Sequence, residues 1–255
     1  MELTEVEFWD NYWADCKLPN TVDMAFSFDR CLANALRDSL ADCRGDILEI
    51  GCAPGRWLAF LAKEGGLKPS GIEYSEAGLN ATKRNFEMLG IEYGRIWSGD
   101  FLSIEPSESF DVVMSLGFIE HFDNATEIVG RHLTWLKPGG ILVLGIPNFR
   151  GIYYPIQAIL DRTILEKHNL SIMSKSYFNG LAGRYDLEAK FLDYLGSFEP
   201  GLPIVKPGSS NPLQFLVRGL LRISRHIRRF RVLDALNNRF LSSYILAVYQ
   251  KGLNA

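Results

Sequence analysis

Between Asp46 and Asn148 the chain alternates short apolar runs with stretches whose apolar residues recur every three or four positions. Few folds accept that rhythm, because a buried strand and an amphipathic helix demand different periods. Residues 47–50 read as a buried strand, and 56–64 as the helix after a glycine turn. A second strand at 71–74 leads into a helix reaching about residue 89, and a third strand is expected over 91–97. The run 110–116 reads as a fourth strand, followed after Asp123 by a helix to Leu136. Lys137-Pro138-Gly139-Gly140 reads as a tight turn into a fifth strand at 141–146, and a helical pattern over 24–42 precedes the whole series. Strands and helices in this order imply a doubly wound α/β fold, with a mostly parallel sheet covered by helices on both faces.

Ligands in such sheets bind beyond the carboxyl ends of the strands. The chemically marked residues sit at those ends: Glu49 and Gly51, then Glu73, then Asp100, then Gly117 to His121. The stretch DILEIGCAPGRW resembles a phosphate-binding loop only superficially. A dinucleotide fingerprint needs G-x-G-x-x-G, and here Ala53 and Arg56 occupy its second and third glycine positions. No Gly-Lys-Ser/Thr follows, so a P-loop is excluded as well. What remains is a turn permitting close backbone approach, with a carboxylate beside it that suits a cation better than a pyrophosphate. Glu73 is spaced to accept hydrogen bonds from a ribose diol, and Asp100 to hold the exocyclic amine of adenine. A nucleoside bearing positive charge is the natural ligand.

Five stretches in order now carry a family likeness: ILEIGCAPG, GIEYS, SGDF, FDVVMSLGFIEHF and LKPGGILVLGIPN. Over Asp46–Asn148 the chain resembles the class I S-adenosylmethionine-dependent methyltransferases, with Ala53 replacing the middle glycine of the first motif. The resemblance implies seven strands, the last one antiparallel between the fifth and sixth; 191–195 and 244–249 are the segments left for those positions. It implies S-adenosyl-L-methionine as cofactor, with Gly51, Cys52, Ala53 and Gly55 against the methionyl portion, Glu73 on the ribose, and Asp100 and Phe101 at the adenine. Glu49, Tyr74 and Leu116 complete the expected cofactor set. The acceptor is expected to be a small molecule, O-directed, or a glycan or lipid-linked compound. Methyl transfer is mostly alignment, but a hydroxyl acceptor also loses a proton. His121 is therefore the candidate catalytic base, a positioning role being the open alternative; His132 and His168 are weaker candidates. An Asn/Asp-Pro-Pro-aromatic signature is absent after the fourth strand, where Leu116-Gly117-Phe118 stand, which disfavours nucleic acid. The alternative in another class is a weakly active, methyltransferase-like scaffold subunit.

Composition sets the outer bounds. The net charge of −3 gives no reason to expect a polyanionic partner. Cys16, Cys31, Cys43 and Cys52 form no CxxC pair, so neither a metal site nor a disulfide framework is expected, and a reducing cytoplasm is. The acidic, aromatic start MELTEVEFWDNYW lacks the layout of a signal peptide, and no apolar run is long enough to span a bilayer. Its Trp9, Tyr12 and Trp13 read as helix-face packing in preference to a cofactor lid. One methyltransferase domain over 1–255 is expected: a helical cap at 1–45, the cofactor core at 46–148 and an acceptor-side insert with the sixth strand at 149–196. A basic helical segment at 197–240 and the last strand at 241–255 follow. Between Leu216 and Phe230, Leu216, Leu220, Ile223, Ile227 and Phe230 share one helical face, and Arg218, Arg222, Arg225 and Arg229 the opposite one. That face reads as core packing with solvated arginines, or as a peripheral contact with an anionic membrane.

Overall fold

The computed structural model describes residues 4–205, 212–226 and 229–253. Among these, seven strands form one sheet in the order β3-β2-β1-β4-β5-β7-β6. They are β1 (Asp46–Ile50), β2 (Lys68–Glu73), β3 (Ile96–Ser98), β4 (Phe110–Leu116), β5 (Leu136–Pro147), β6 (Leu187–Leu195) and β7 (Tyr244–Lys251). β1 runs parallel to β2 and β4, β2 to β3, and β4 to β5, while β7 lies antiparallel between β5 and β6. The chain steps outward from β1 in both directions, so the strand order reverses between β1 and β4. Such a reversal leaves a crevice above the strand ends.

The pleat sorts the core into two layers. Leu48, Ile50, Val113, Leu142, Leu144 and Ile146 face one side with the aromatics Phe110, Trp135, Phe149, Tyr153 and Phe178. Ile47, Val112, Met114, Val143, Leu246 and Val248 face the other, against helices α2 (Ser27–Ser39), α3 (Arg56–Gly65) and α4 (Glu76–Leu89). These strands are apolar on both faces, as a sheet covered on both sides requires. Helix α5 (Ala125–Leu133) and the post-β5 helices α6 (Tyr153–Leu160), α7 (Arg162–Glu166) and α8 (Lys175–Arg184) supply the first layer.

Several boundaries differ from expectation for local reasons. β3 is only three residues long, and its pairing with β2 begins at Gly71↔Ile96; Pro69, just before, has no N–H to give a ladder. α5 stops at Leu133, because the Trp135 carbonyl accepts from Phe110 N–H at 2.8 Å and draws the chain into the sheet. Lys137-Pro138-Gly139-Gly140 is therefore a bulge inside β5, not a turn before it: Leu136 pairs with Phe110 and Ile141 with Val112, leaving the four residues opposite Asp111. β6 begins at Leu187; as an edge strand bonded to β7 alone, it tolerates Glu188 and Lys190 in an otherwise apolar pattern.

The basic segment departs most. Helix α9 spans Pro212–Ser224, ending well before Phe230, and Ile227 lies outside the described residues. It buries Leu221 and turns the expected core face outward: Leu216, Leu220 and Ile223 are 57, 59 and 71% exposed, and Phe215 is 81%. Core packing by that face is thereby overturned. Among the described residues no helix is long and apolar enough to cross a membrane.

Candidate active site

β1 delivers the chain into a sharp turn in which Gly51 and Gly55 take φ of 71° and 77°, values that disfavour a side chain. A Cβ on Gly55 would stand 2.7 Å from Phe86, so this glycine serves the packing of α3 on α4. Gly51 opens upward; its N–H donates to the Ile72 carbonyl at 2.9 Å, which ties the turn to β2. Glu73, the last residue of β2, braces the turn from the other side. Its Oε2 accepts from Ala53 N–H at 3.0 Å and its Oε1 from Ser75 N–H at 2.9 Å. Burial raises its pKa, and the backbone donors from Ser75, Ala53 and Tyr74 oppose that rise. A carboxylate so held still has lone pairs for two hydroxyl donors.

Above the turn lies a cavity of about 350 Å³, within the usual range for a ligand site. Gly51, Ala53, Glu73, Tyr74, Asp100, Phe101, Leu116 and His121 all line it, so eight of the eleven expected site residues meet in one place. Glu49, Cys52 and Gly55 do not. Cys52 is buried under the turn, with its Sγ where a Cβ on Gly71 would fall. Glu49 is also buried there; its Oε2 has no hydrogen-bond partner, and burial, then the Glu73 charge, push its pKa well up. Asp100 caps its own turn, accepting from Leu102 N–H and Ser103 Oγ, both at 2.9 Å. Phe101 stands edge-on to Phe118, 5.8 Å between centroids.

The roof was not legible as such. Helix α1 (Val6–Trp13) buries no residue, yet Phe8, Trp9, Tyr12 and Trp13 all face the cavity. The packing role expected for Trp9, Tyr12 and Trp13 is therefore corrected to a cover over the crevice. Asp10 fastens it: its Oδ1 accepts from Ser75 Oγ at 2.7 Å and from Ala77 N–H at 3.2 Å, at the N-terminus of α4. Acidic side chains are favoured at that end of a helix.

His121 sits on a 3₁₀ turn, Ile119–His121, just after β4. Its ring meets Trp9 edge-on at 4.9 Å and His168 at 4.6 Å. Burial, then the neighbouring His168, lower its pKa to about 3. Such an imidazole is neutral at ordinary pH and holds an accepted proton poorly, so the expected role of general base gains nothing from its surroundings. His168 shares the cavity wall, brought in by the insert after β5. His132 is fully buried between the Ile128 carbonyl and Ser115 Oγ, a structural position.

Residues 47–140 match a family model described as a methyltransferase domain. Over that stretch the chain is similar to S-adenosylmethionine-dependent methyltransferases. Among its relatives, a ubiquinone biosynthesis O-methyltransferase of Rhodopseudomonas palustris is 32% identical over 106 residues, 40% of each chain. A tRNA U34 carboxymethyltransferase of Desulfotalea psychrophila is 35% identical over 121 residues, 44% of this chain and 37% of that one. The chain thus spans about two fifths of the length of the first curated relatives it matches. In architecture it is similar to a methyltransferase from Thiobacillus denitrificans solved with S-adenosyl-L-homocysteine. That likeness has a TM-score of 0.57 and 18% identity, and covers 98% of both chains. At such identity it speaks for the methyltransferase fold alone.

Proposed function

We propose that this chain binds S-adenosyl-L-methionine and transfers its methyl group to a small-molecule acceptor, at oxygen. The supporting observation is the meeting of the Gly51–Ala53 turn, Glu73 and the Asp100–Phe101 pair around one cavity whose far wall carries His121. In this reading Gly51 and Ala53 admit the methionyl portion, Glu73 accepts from the ribose hydroxyls, and Asp100 and Phe101 hold the adenine, with Tyr74 and Leu116 on either side. Glu49, Cys52 and Gly55 support the turn from below and touch no ligand. Aromatic rings from α1, together with Phe101 and Phe118, suit a sulfonium cation. When bound, the cofactor would supply the methyl group for an in-line displacement in which an acceptor oxygen's lone pair bonds to the carbon, the carbon–sulfur pair returns to sulfur, and the acceptor's hydroxyl proton leaves to solvent. Holding nucleophile, carbon and sulfur in line is the chief contribution asked of the protein. His121, at the acceptor end, serves as a positioning residue in this reading.

Calorimetric titration with S-adenosylmethionine, S-adenosylhomocysteine and NAD tests it. Binding of the first two and not the third is expected. Absence of heat with both sulfur nucleosides would overturn the reading and leave the scaffold alternative.

The outward face of α9 supports a second element of the proposal, peripheral docking on an anionic membrane. Leu213, Phe215, Leu216, Leu220 and Ile223 form an apolar strip rimmed by Arg222 and Arg225, both exposed. An interfacial helix on anionic lipid presents that combination. A glycan or lipid-linked acceptor would be met there.

A further inference from the structure

Glu120, His121 and His168 bring one carboxylate oxygen and two imidazole nitrogens within 4.8 Å of one another. The first two come from the 3₁₀ turn after β4, while His168 follows α7, so the fold alone unites them. Each imidazole is already oriented. His121 Nδ1 lies 2.9 Å from the Lys167 carbonyl, and His168 Nδ1 lies 2.6 Å from the Ile164 carbonyl. A carbonyl oxygen only accepts, so Nδ1 bears the hydrogen in both rings and Nε2 presents a lone pair. Thr4 Oγ1 also stands 3.0 Å from His121 Nδ1, where its hydroxyl oxygen can accept from the same N–H. Imidazoles that ligate metals are held in this way, their second nitrogen donating to a carbonyl or carboxylate.

Glu120 supplies the complementary oddity. Its residue is 1% exposed, its Oε1 lies 3.7 Å from His121 Nε2, and its Oε2 has no hydrogen-bond partner. A buried carboxylate oxygen without a partner is costly. The neighbouring cation, Lys167, points its Nζ at the Phe8 ring 4.0 Å away.

We propose that Glu120, His121 and His168 form a binding site for a divalent transition ion. Two imidazoles and one carboxylate suit Zn²⁺, Mn²⁺ or Fe²⁺ better than Mg²⁺ or Ca²⁺, which favour all-oxygen shells. Three protein ligands leave coordination positions open. His121 and His168 line the cavity, so those positions face the acceptor side, where an acceptor oxygen would complete the shell. This last point rests on the methyl-transfer reading; the ion's binding does not.

The test uses protein stripped with chelator and titrated with Co²⁺, whose visible absorption reports imidazole ligation, and with Zn²⁺ by calorimetry. One equivalent of each is expected to bind, raising the melting temperature. His168→Asn and Glu120→Gln should each weaken binding by more than the about 10–100-fold that outer-shell changes cost. His226→Asn, at an exposed position, should leave it unchanged. Should Glu120→Gln fail to fold, the half-buried His168 carries the comparison, with circular dichroism verifying the fold of its variant. Absence of stoichiometric binding by the unaltered protein, or undiminished binding by folded His168→Asn, overturns the site. A parallel titration with S-adenosylmethionine keeps the two readings separate. Nucleoside binding without metal binding removes this inference only, and the converse removes the methyl-transfer reading only.

Discussion

Glu73 serves two partners with one side chain: it holds the glycine turn through Ala53 and the start of α4 through Ser75. In the proposed complex it would also accept from the ribose. Glu73→Ala should therefore cost cofactor binding roughly 1–3 kcal/mol, read by calorimetry, with Glu73→Gln falling between. An unchanged dissociation constant in Glu73→Ala would place the nucleoside elsewhere. Glu49, one strand over, makes a contrasting prediction. Its pKa is raised in the folded protein by burial and by Glu73, so folding favours its protonated form. The stability that form contributes is fully present below the unfolded value near 4.5 and is lost as pH rises toward the folded value. Glu49→Gln, neutral at every pH, should consequently raise the melting temperature at pH 8 by ~2–4 °C for each kcal/mol recovered. The gain should shrink toward zero as the pH falls to 4.5, and scanning calorimetry across that range decides it. A variant that melts lower at pH 8 would mean that the ionised carboxylate is used.

Helix α1 and the insert after β5 are the elements that complete the cavity, and both were poorly legible. The core strands carry a period that survives without tertiary context, and so β1, β2 and β4 and the residues at their ends could be read from the chain. Glu73 and His121 followed from that placement, and Asp100 from the third strand, whose end was legible though its start was not. α1 has no buried residue, so nothing in its pattern distinguishes an aromatic face that roofs a crevice from one packed on a neighbour. The approach of His168 to His121 depends on where the insert folds back, which no spacing rule supplies. The KPGG bulge was misread because Pro-Gly-Gly signals a turn, while the Trp135 carbonyl and its partner Phe110 had already begun the strand. Trp9→Ala combined with Tyr12→Ala should lower cofactor affinity about tenfold, or ~1.4 kcal/mol. The melting temperature should stay nearly constant, because neither side chain belongs to the core. Equal affinity by titration would return α1 to a bystander's place.

Taken whole, the molecule carries on α9 a row of exposed apolar side chains. α9 presents an apolar strip with arginines at its rim, on a chain whose net charge is −3. Co-sedimentation with vesicles containing anionic lipid is expected at low salt and should fade as salt rises, each nearby basic residue contributing about 1 kcal/mol. Arg222→Glu with Arg225→Glu should abolish it, and Ile223→Asp should weaken it at every salt concentration. Protein left in the supernatant at low salt would dismiss the lipid partner. The other whole-molecule property comes from β7. Its residues Ile245–Tyr249 are fully buried, and it bonds to β5 on one side and β6 on the other. A chain leaving the ribosome makes this strand after the other six of the sheet, so β5 and β6 wait with open edges that can pair with another chain. This flank of the sheet is thus sealed by the last of its seven strands to be made, and a polypeptide halted before Tyr244 would emerge already prone to aggregate.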